Sequence, residues 1–307
     1  MRRVIAALLL TLAVAWGAST ARDGSWSAHA QLPVTHAGLA TPASGGGGYT
    51  GEGDVASGAL FYYGTRAYNA AYATGSNPAF DYSCSGGSPS TGTIKILSTG
   101  YADAATLSAA CGANAITTTK IYDQTGHGYN LMTFFGSVAI KLNCISTYPC
   151  LQFAGASNAE SSVGALTQAQ PLTVVAAAQR AGSYTSVADI VEMNSQYGFN
   201  NAANEATMYA GASVNSSTAT ASIPDNAFNA IQYIANSTSS EIYANGTPNP
   251  ASGNVGTIGA TGSTIFIGSA GSSNYLTGYI LEVATYSGAS TTLASMNSNM
   301  HAAFGGY

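Results

Sequence analysis

The chain has 307 residues and a formal net charge of −5, and only 7% of its residues are charged, far below the average of about 25% for globular domains. Its 8 Lys and Arg residues form no basic cluster, which excludes a phosphate backbone or an anionic bilayer as partner. With 46% hydrophobic residues, a sizeable core lies beneath a surface coated mainly by Gly, Ser, Thr, Asn and Ala.

In chain order, the first element is an export signal. Arg2 and Arg3 form a positive start, and Val4–Trp16 is an apolar core shorter than the roughly 20 residues a spanning helix needs. Cleavage is expected after Ala21 or Ala30, so the protein is expected to be secreted, extracellular or periplasmic, with no membrane association after cleavage. Residues 31–58 contain Pro33, Pro42 and the run Gly45–Gly48, and are expected to be a flexible linker. Residues 59–307 form the folded domain, a length ordinary for a β-sandwich.

Within it, Tyr68–Tyr72 is expected to form one helical turn and Thr93–Leu97 an alternating strand. Asp103–Ala110 is predicted as a short helix with Asp103 as N-cap and Leu107 facing inward. The β-branched run Ile116–Ile121 leads into Tyr122-Asp123-Gln124 and the turn Thr125-Gly126-His127-Gly128. There Asp123 is expected to accept backbone N–H bonds, and His127 to be a solvated tip. Strands are predicted at Leu172–Ala176 and Asp189–Glu192, then at Ala230–Ile234 and Glu241–Ala244 with Asn245-Gly246 as a hairpin turn. Two more follow at Thr264–Gly268 and Gly278–Tyr286. Asp189 and Glu192, three apart in a strand, are expected on opposite faces and so not to act as a pair. Thr292–Phe304 carries Leu293, Met296, Met300 and Phe304 at helical spacing, which predicts a C-terminal helix packed on the sandwich.

Four cysteines follow the signal, Cys84, Cys111, Cys144 and Cys150. An even count in an oxidising compartment implies two disulfides, among three connectivities. Cys144 and Cys150 bracket a short loop and are natural partners, leaving Cys84 for Cys111. None has metal-ligand spacing with a His, so neither metal nor other cofactor is expected.

The cadence of Phe228–Tyr286 resembles the last strands of laminin-G-like and concanavalin-like jelly rolls, which implies an all-β, antiparallel two-sheet sandwich with a short C-terminal helix. Thr65-Arg66-Ala67-Tyr68, the Ala71-Tyr72 step, Asp103–Cys111 and Ile121–Leu131 occur in that order. Together they resemble the N-terminal half of the α-L-arabinofuranosidase B catalytic domain, glycoside hydrolase family 54, whose patterns are T-R-A-L-x-x-A-Y and I-Y-D-Q-S-G-R-G-N-H-L. The likeness returns at Ile265–Gly288. It implies a retaining glycosidase acting on arabinose-bearing polysaccharide or oligosaccharide, with one carboxylate as nucleophile and a second carboxyl as acid/base.

The chain departs from that pattern at both catalytic positions. The family's nucleophile is a Glu in D-L-E-N-G; the corresponding stretch Ala212–Phe228 holds one acid, Asp225, which becomes the candidate nucleophile. The family's acid/base is an Asp after I-G-G; the aligned residue is Ser272, and a hydroxyl is no proton donor of suitable pKa. Glu282 matches a family Glu outside the catalytic pair. The alternative is a non-catalytic, lectin-like or adhesive module. For sugar stacking, both Trp residues (Trp16 and Trp26) lie upstream of the domain, leaving Tyr62, Tyr63, Tyr184, Tyr197, Tyr209 and Tyr275 as candidates.

Overall fold

The computed structural model describes residues 48–181, 188–193, 197–202, 205–210, 221–245, 251–257, 260–271, 273–289 and 293–304. The two candidate cleavage sites and most of the expected linker lie outside these residues. In chain order the strands begin with β1 (Ala59–Gly64), β2 (Pro78–Cys84), β3 (Thr91–Lys95), β4 (Ile116–Ile121), β5 (Thr133–Phe135) and β6 (Ala139–Ile145). They continue with β7 (Tyr148–Ala154), β8 (Asn158–Gln168), β9 (Leu172–Arg180), β10 (Ala188–Met193), β11 (Tyr197–Ala202) and β12 (Glu205–Ala210). The last are β13 (Ala221–Ser222), β14 (Phe228–Ala235), β15 (Ser240–Ala244), β16 (Ala251–Gly253), β17 (Ala260–Ile267) and β18 (Thr277–Ser287). Three α-helices accompany them: α1 (Glu52–Val55), α2 (Ala104–Cys111) and α3 (Leu293–Phe304).

The strands pair antiparallel in two sheets. The larger runs β16-β15-β14-β9-β18-β7-β6-β4-β2-β3, with β1 also paired to β18. The smaller runs β13-β12-β11-β10-β17-β8-β5. Alternation along each strand turns one set of side chains to the space between the sheets. Val174, Ala176, Ile231, Tyr233 and Val283 of the larger sheet meet Val191, Met208, Ile265 and Ile267 of the smaller there. The larger sheet is apolar on its other face as well. Val175, Ala177, Ala230, Leu281 and Ala284 lie under Met296, Met300 and Phe304, the stripe expected of the C-terminal helix α3.

The Asp103 carboxylate accepts the Thr106 N–H at 2.9 Å and the Thr106 hydroxyl at 2.6 Å, and Leu107 of α2 is fully buried. Asp103→Ala is expected to cost about 1 kcal/mol, measured by chemical denaturation; an unchanged midpoint would show that the cap contributes nothing. Disulfides join Cys84 to Cys111 and Cys144 to Cys150, with Cα atoms 5.6 and 5.7 Å apart. Residues 68–72 form turns rather than the expected helical turn. β14 and β15 pair across residues 236–239, and Asn245, in the left-handed conformation with φ 50°, opens the connection from β15 to its other antiparallel neighbour, β16. The Asn245 carboxamide ties the end of β15 to β14: its Oδ1 accepts Ala230 N–H at 3.0 Å and its Nδ2 donates to Asn229 Oδ1 at 2.9 Å.

The last part of the expected linker is packed. Gly51 and Glu52 are buried, and a Cβ added at Gly51 would stand 2.3 Å from the Tyr68 carbonyl oxygen. Gly53 N–H donates to that carbonyl at 2.6 Å, and Asp54 Oδ2 accepts Ala70 N–H at 2.8 Å. Glycine thus allows a backbone approach that any side chain would block.

The 121–131 corner is a brace. Asp123 Oδ1 accepts from Tyr62 N and Thr125 N, and Oδ2 from Tyr129 N, at 3.1–3.2 Å, as the turn chemistry predicts. Gln124 is buried and uses its whole amide: Oε1 accepts Tyr68 N–H, and Nε2 donates to Gly64 O and Arg66 O. His127 is exposed at the tip, its Nδ1 3.0 Å from Leu60 O.

Candidate active site

The sequence-derived site residues lie apart or outside the described residues. Asp225 stands on the turn before β14, its carboxylate 3.9 Å from Arg180 Nη1 at the end of β9. Ser272 lies outside the described residues, within a segment (Gly268–Leu276) that joins β17 to β18 and is otherwise described. Of the stacking candidates, Tyr62 and Tyr63 are fully buried; Tyr184 and the side chain of Tyr197 lie outside the described residues. Tyr209 and Tyr275 are partly exposed.

The carboxylates that come together are Asp189 and Glu192. β10 pairs with β11 as Asp189↔Asn200 and then Val191↔Phe199, a register shift that leaves Ile190 as an extra residue. This bulge turns both Ile190 and Val191 into the core between the sheets. Asp189 and Glu192 therefore share the opposite face of the smaller sheet. The expectation that a spacing of three separates them fails because strict alternation holds only where no residue is bulged. With one residue taken out of the pleat, the two stand about 7 Å apart along the strand, two residues at about 3.3 Å each.

Neighbouring strands furnish this face. Register aligns Glu192 with Gly198 and Gly198 with Tyr209, so the Tyr209 ring crosses a position that has no side chain. Its hydroxyl donates to Glu192 Oε1 at 3.1 Å. On the other side Glu192 is flanked by Phe266 of β17, which in turn pairs with Glu160 of β8. The Gly268–Leu276 segment lies over the same face. Gly268 N–H donates to Ile190 O at 3.0 Å and Asp189 N–H to Asn274 O at 2.9 Å. Asn158 Nδ2 pins the segment through Ser269 Oγ and Gly271 O, at 2.7 and 2.6 Å. A Cβ at Gly271 would sit 3.5 Å from the Phe266 ring, so backbone packs directly on that ring. The segment in which the family resemblance locates the acid/base is thus the one that bonds Asp189 and packs on Phe266, the cross-strand neighbour of Glu192.

Burial sets the electrostatics. Glu192 is 2% exposed, and desolvation pushes its carboxyl up to about 7, against the Tyr209 hydrogen bond that draws it down. Asp189 is wholly buried; burial first, and then the charge of Glu192, raise it well above the ordinary carboxyl range, while the Asn274 side chain acts the other way. Tyr209 is raised by burial and by both carboxylates. Burial thus disfavours the ionised form of both acids, and the charge of Glu192 adds to that at Asp189. A sequence signal for this pair existed in retrospect: in a chain with 13 acidic residues, one apolar strand carries two of them.

No protein-family model and no curated protein matches the sequence. Solved structures are similar in fold. An arabinofuranosidase complexed with arabinofuranosyl-α-1,2-xylobiose aligns with a TM-score of 0.62 at 15% identity, covering 80% of this chain and 63% of that one. A GH54 α-L-arabinofuranosidase soaked with a cyclic sulfate inhibitor aligns with a TM-score of 0.57, at the same identity and coverage. The chain therefore has the arabinofuranosidase-type sandwich fold and spans just under two thirds of the length of these proteins.

Proposed function

We propose that this protein is a secreted glycoside hydrolase that removes arabinofuranosyl groups from a neutral polysaccharide or oligosaccharide, with Asp189 and Glu192 as its two carboxyl groups. The observation that supports it is the pair itself: two raised carboxyls on one sheet face, beneath the segment where the resembling family keeps its acid/base. Glycosidic cleavage needs one ionised and one protonated carboxyl. The Tyr209 hydroxyl hydrogen-bonds Glu192 and favours its ionised form, which acts at the anomeric carbon, directly or through a water. Asp189, whose neutral form is favoured by burial and by the Glu192 charge, is the proton donor to the leaving oxygen. The fold likeness and the neutral polar surface support arabinosyl polymers as the substrate class.

The complete burial of Asp189 favours a second reading, a carbohydrate-binding module in which the pair is structural. A chromogenic α-L-arabinofuranoside separates the two. Release by the purified protein above a heat-inactivated control, lowered roughly 10²–10⁴-fold by Glu192→Gln, is the expected result. Loss in Asp225→Asn with Glu192→Gln unaffected would move the nucleophile to Asp225. No release, together with retention on an arabinoxylan column, would establish the binding module.

A further inference from the structure

Few large apolar side chains face solvent: among the described residues they are Leu97, Met132 and Phe135, and Phe135 is 59% exposed. Phe135 ends the edge strand β5 and pairs with Asn158, whose side chain anchors the segment over the acid pair. Thr133, two residues earlier, pairs with Glu160, and Glu160 with Phe266, so β5 carries the row of Glu192 out to the sheet edge. The Phe135 ring stacks on Tyr275, with centroids 5.8 Å apart and planes 16° from parallel. Tyr275 directly follows Asn274, whose carbonyl accepts the Asp189 N–H. An exposed, nearly parallel pair of rings thus stands one residue from the backbone that touches the acid pair.

Paired with Tyr275, Phe135 offers a flat aromatic surface rather than a single exposed apolar side chain. Flat aromatic faces ringed by neutral polar groups suit the C–H faces of sugars, and a charge-poor surface presents no competing ionic site. We propose that Phe135 and Tyr275 form a sugar-stacking platform that binds the main-chain sugar of an arabinose-bearing polysaccharide and so positions its side group over Asp189 and Glu192. The platform rests on the carbohydrate reading above, but not on catalysis. It selects polymeric over small substrates, because a lone aryl arabinofuranoside does not reach it.

The test is calorimetric titration of wild type, Phe135→Ala, Phe135→Leu and Phe135→Trp with arabinosyl-xylo-oligosaccharide and with linear arabino-oligosaccharide. Kinetics on the aryl arabinofuranoside run in parallel. Phe135→Ala and Phe135→Leu are expected to weaken oligosaccharide binding about tenfold, the scale of one lost aromatic contact of about 1.4 kcal/mol. Rates on the aryl substrate should not change. Phe135→Trp should retain binding and report it by a change in the emission of the new indole on titration, with wild type as the control for any signal from Trp26. Because Phe135 is exposed, Phe135→Leu keeps the fold while removing the flat face. Equal affinities for wild type, Phe135→Ala and Phe135→Leu would overturn the platform, as would wild type binding neither oligosaccharide. Weakened binding by the variants without any hydrolysis would retain the platform and discard the hydrolase, whereas hydrolysis with unchanged oligosaccharide binding would do the reverse.

Discussion

Arg66→Met is expected to lower stability by about 3–5 kcal/mol and the melting temperature by roughly 10 °C. Arg66 is 1% exposed and holds three elements together. Its Nε and Nη2 bind the two carboxylate oxygens of Glu282 at 2.5 and 3.0 Å, and Nη2 also reaches Glu52 Oε1 at 2.9 Å and Asn299 Oδ1 at 2.5 Å. Glu282 belongs to β18, Glu52 to α1 and Asn299 to α3, so one guanidinium joins sheet, N-terminal segment and terminal helix. The Tyr62 hydroxyl completes the Glu282 shell at 2.5 Å, and the Phe304 ring lies 5.4 Å from the guanidinium carbon. Removing the cation leaves Glu282 buried and uncompensated, the costly half of a buried pair. Glu52→Gln should behave differently. Burial, with the Glu282 charge adding to it and Arg66 opposing it, holds the Glu52 carboxyl well above its ordinary range, so burial already disfavours the charge that this substitution removes. That variant should stay within about 1 kcal/mol of wild type. Thermal and urea denaturation at pH 7 measure both; an Arg66→Met melt within two or three degrees of wild type would remove the network from the account of stability.

Stability is also expected to fall as pH rises from 4.5 to about 7, by about 3 kcal/mol from Glu192 alone. The sign follows from burial. The folded carboxyl titrates near 7 and the unfolded one near 4.5, so below 4.5 both states are protonated and the contribution is fully present. Between the two values only the unfolded chain gives up its proton, which favours unfolding by about 1.4 kcal/mol per pH unit. Above about 7 both are ionised and the loss is complete. Asp189, raised in the same direction, adds to the slope. Denaturant titrations at pH 4.5, 5.5, 6.5 and 7.5 should show a gradient in wild type that flattens in Glu192→Gln. A gradient unchanged by Glu192→Gln would place the origin of the pH dependence elsewhere.

Much of the frame was legible before any coordinates. Alternation marked β9, β14, β15 and β18, the i, i+4 stripe marked α3, and the Asp103 cap marked α2, because each is a local property with a fixed period. The Asp123 brace was legible too, since an Asp before a Gly-rich turn has few better uses for its oxygens than nearby N–H groups. The packed end of the linker was not. A Gly-rich stretch matches a flexible chain in composition, and only the presence of the Tyr68 carbonyl at Gly51 shows that the missing side chain is a fit.

The catalytic question turned on something composition and periodicity do not carry. By itself the sequence determined antiparallel strands, an even set of four cysteines and a surface poor in charge, because these are set by residue type and spacing; the two-sheet sandwich was implied by the family resemblance. Where each carboxylate points was decided by register. One bulge in β10 puts Asp189 and Glu192 on the same face, and another in β18, between Ile280 and Glu282, turns Glu282 toward Arg66 rather than into the core between the sheets. A bulge arises from how a strand meets its neighbours, and a single extra residue reverses the facing of everything after it. That is why the carboxylate pair belongs to the tertiary structure, while the strand that carries it was already present in the sequence.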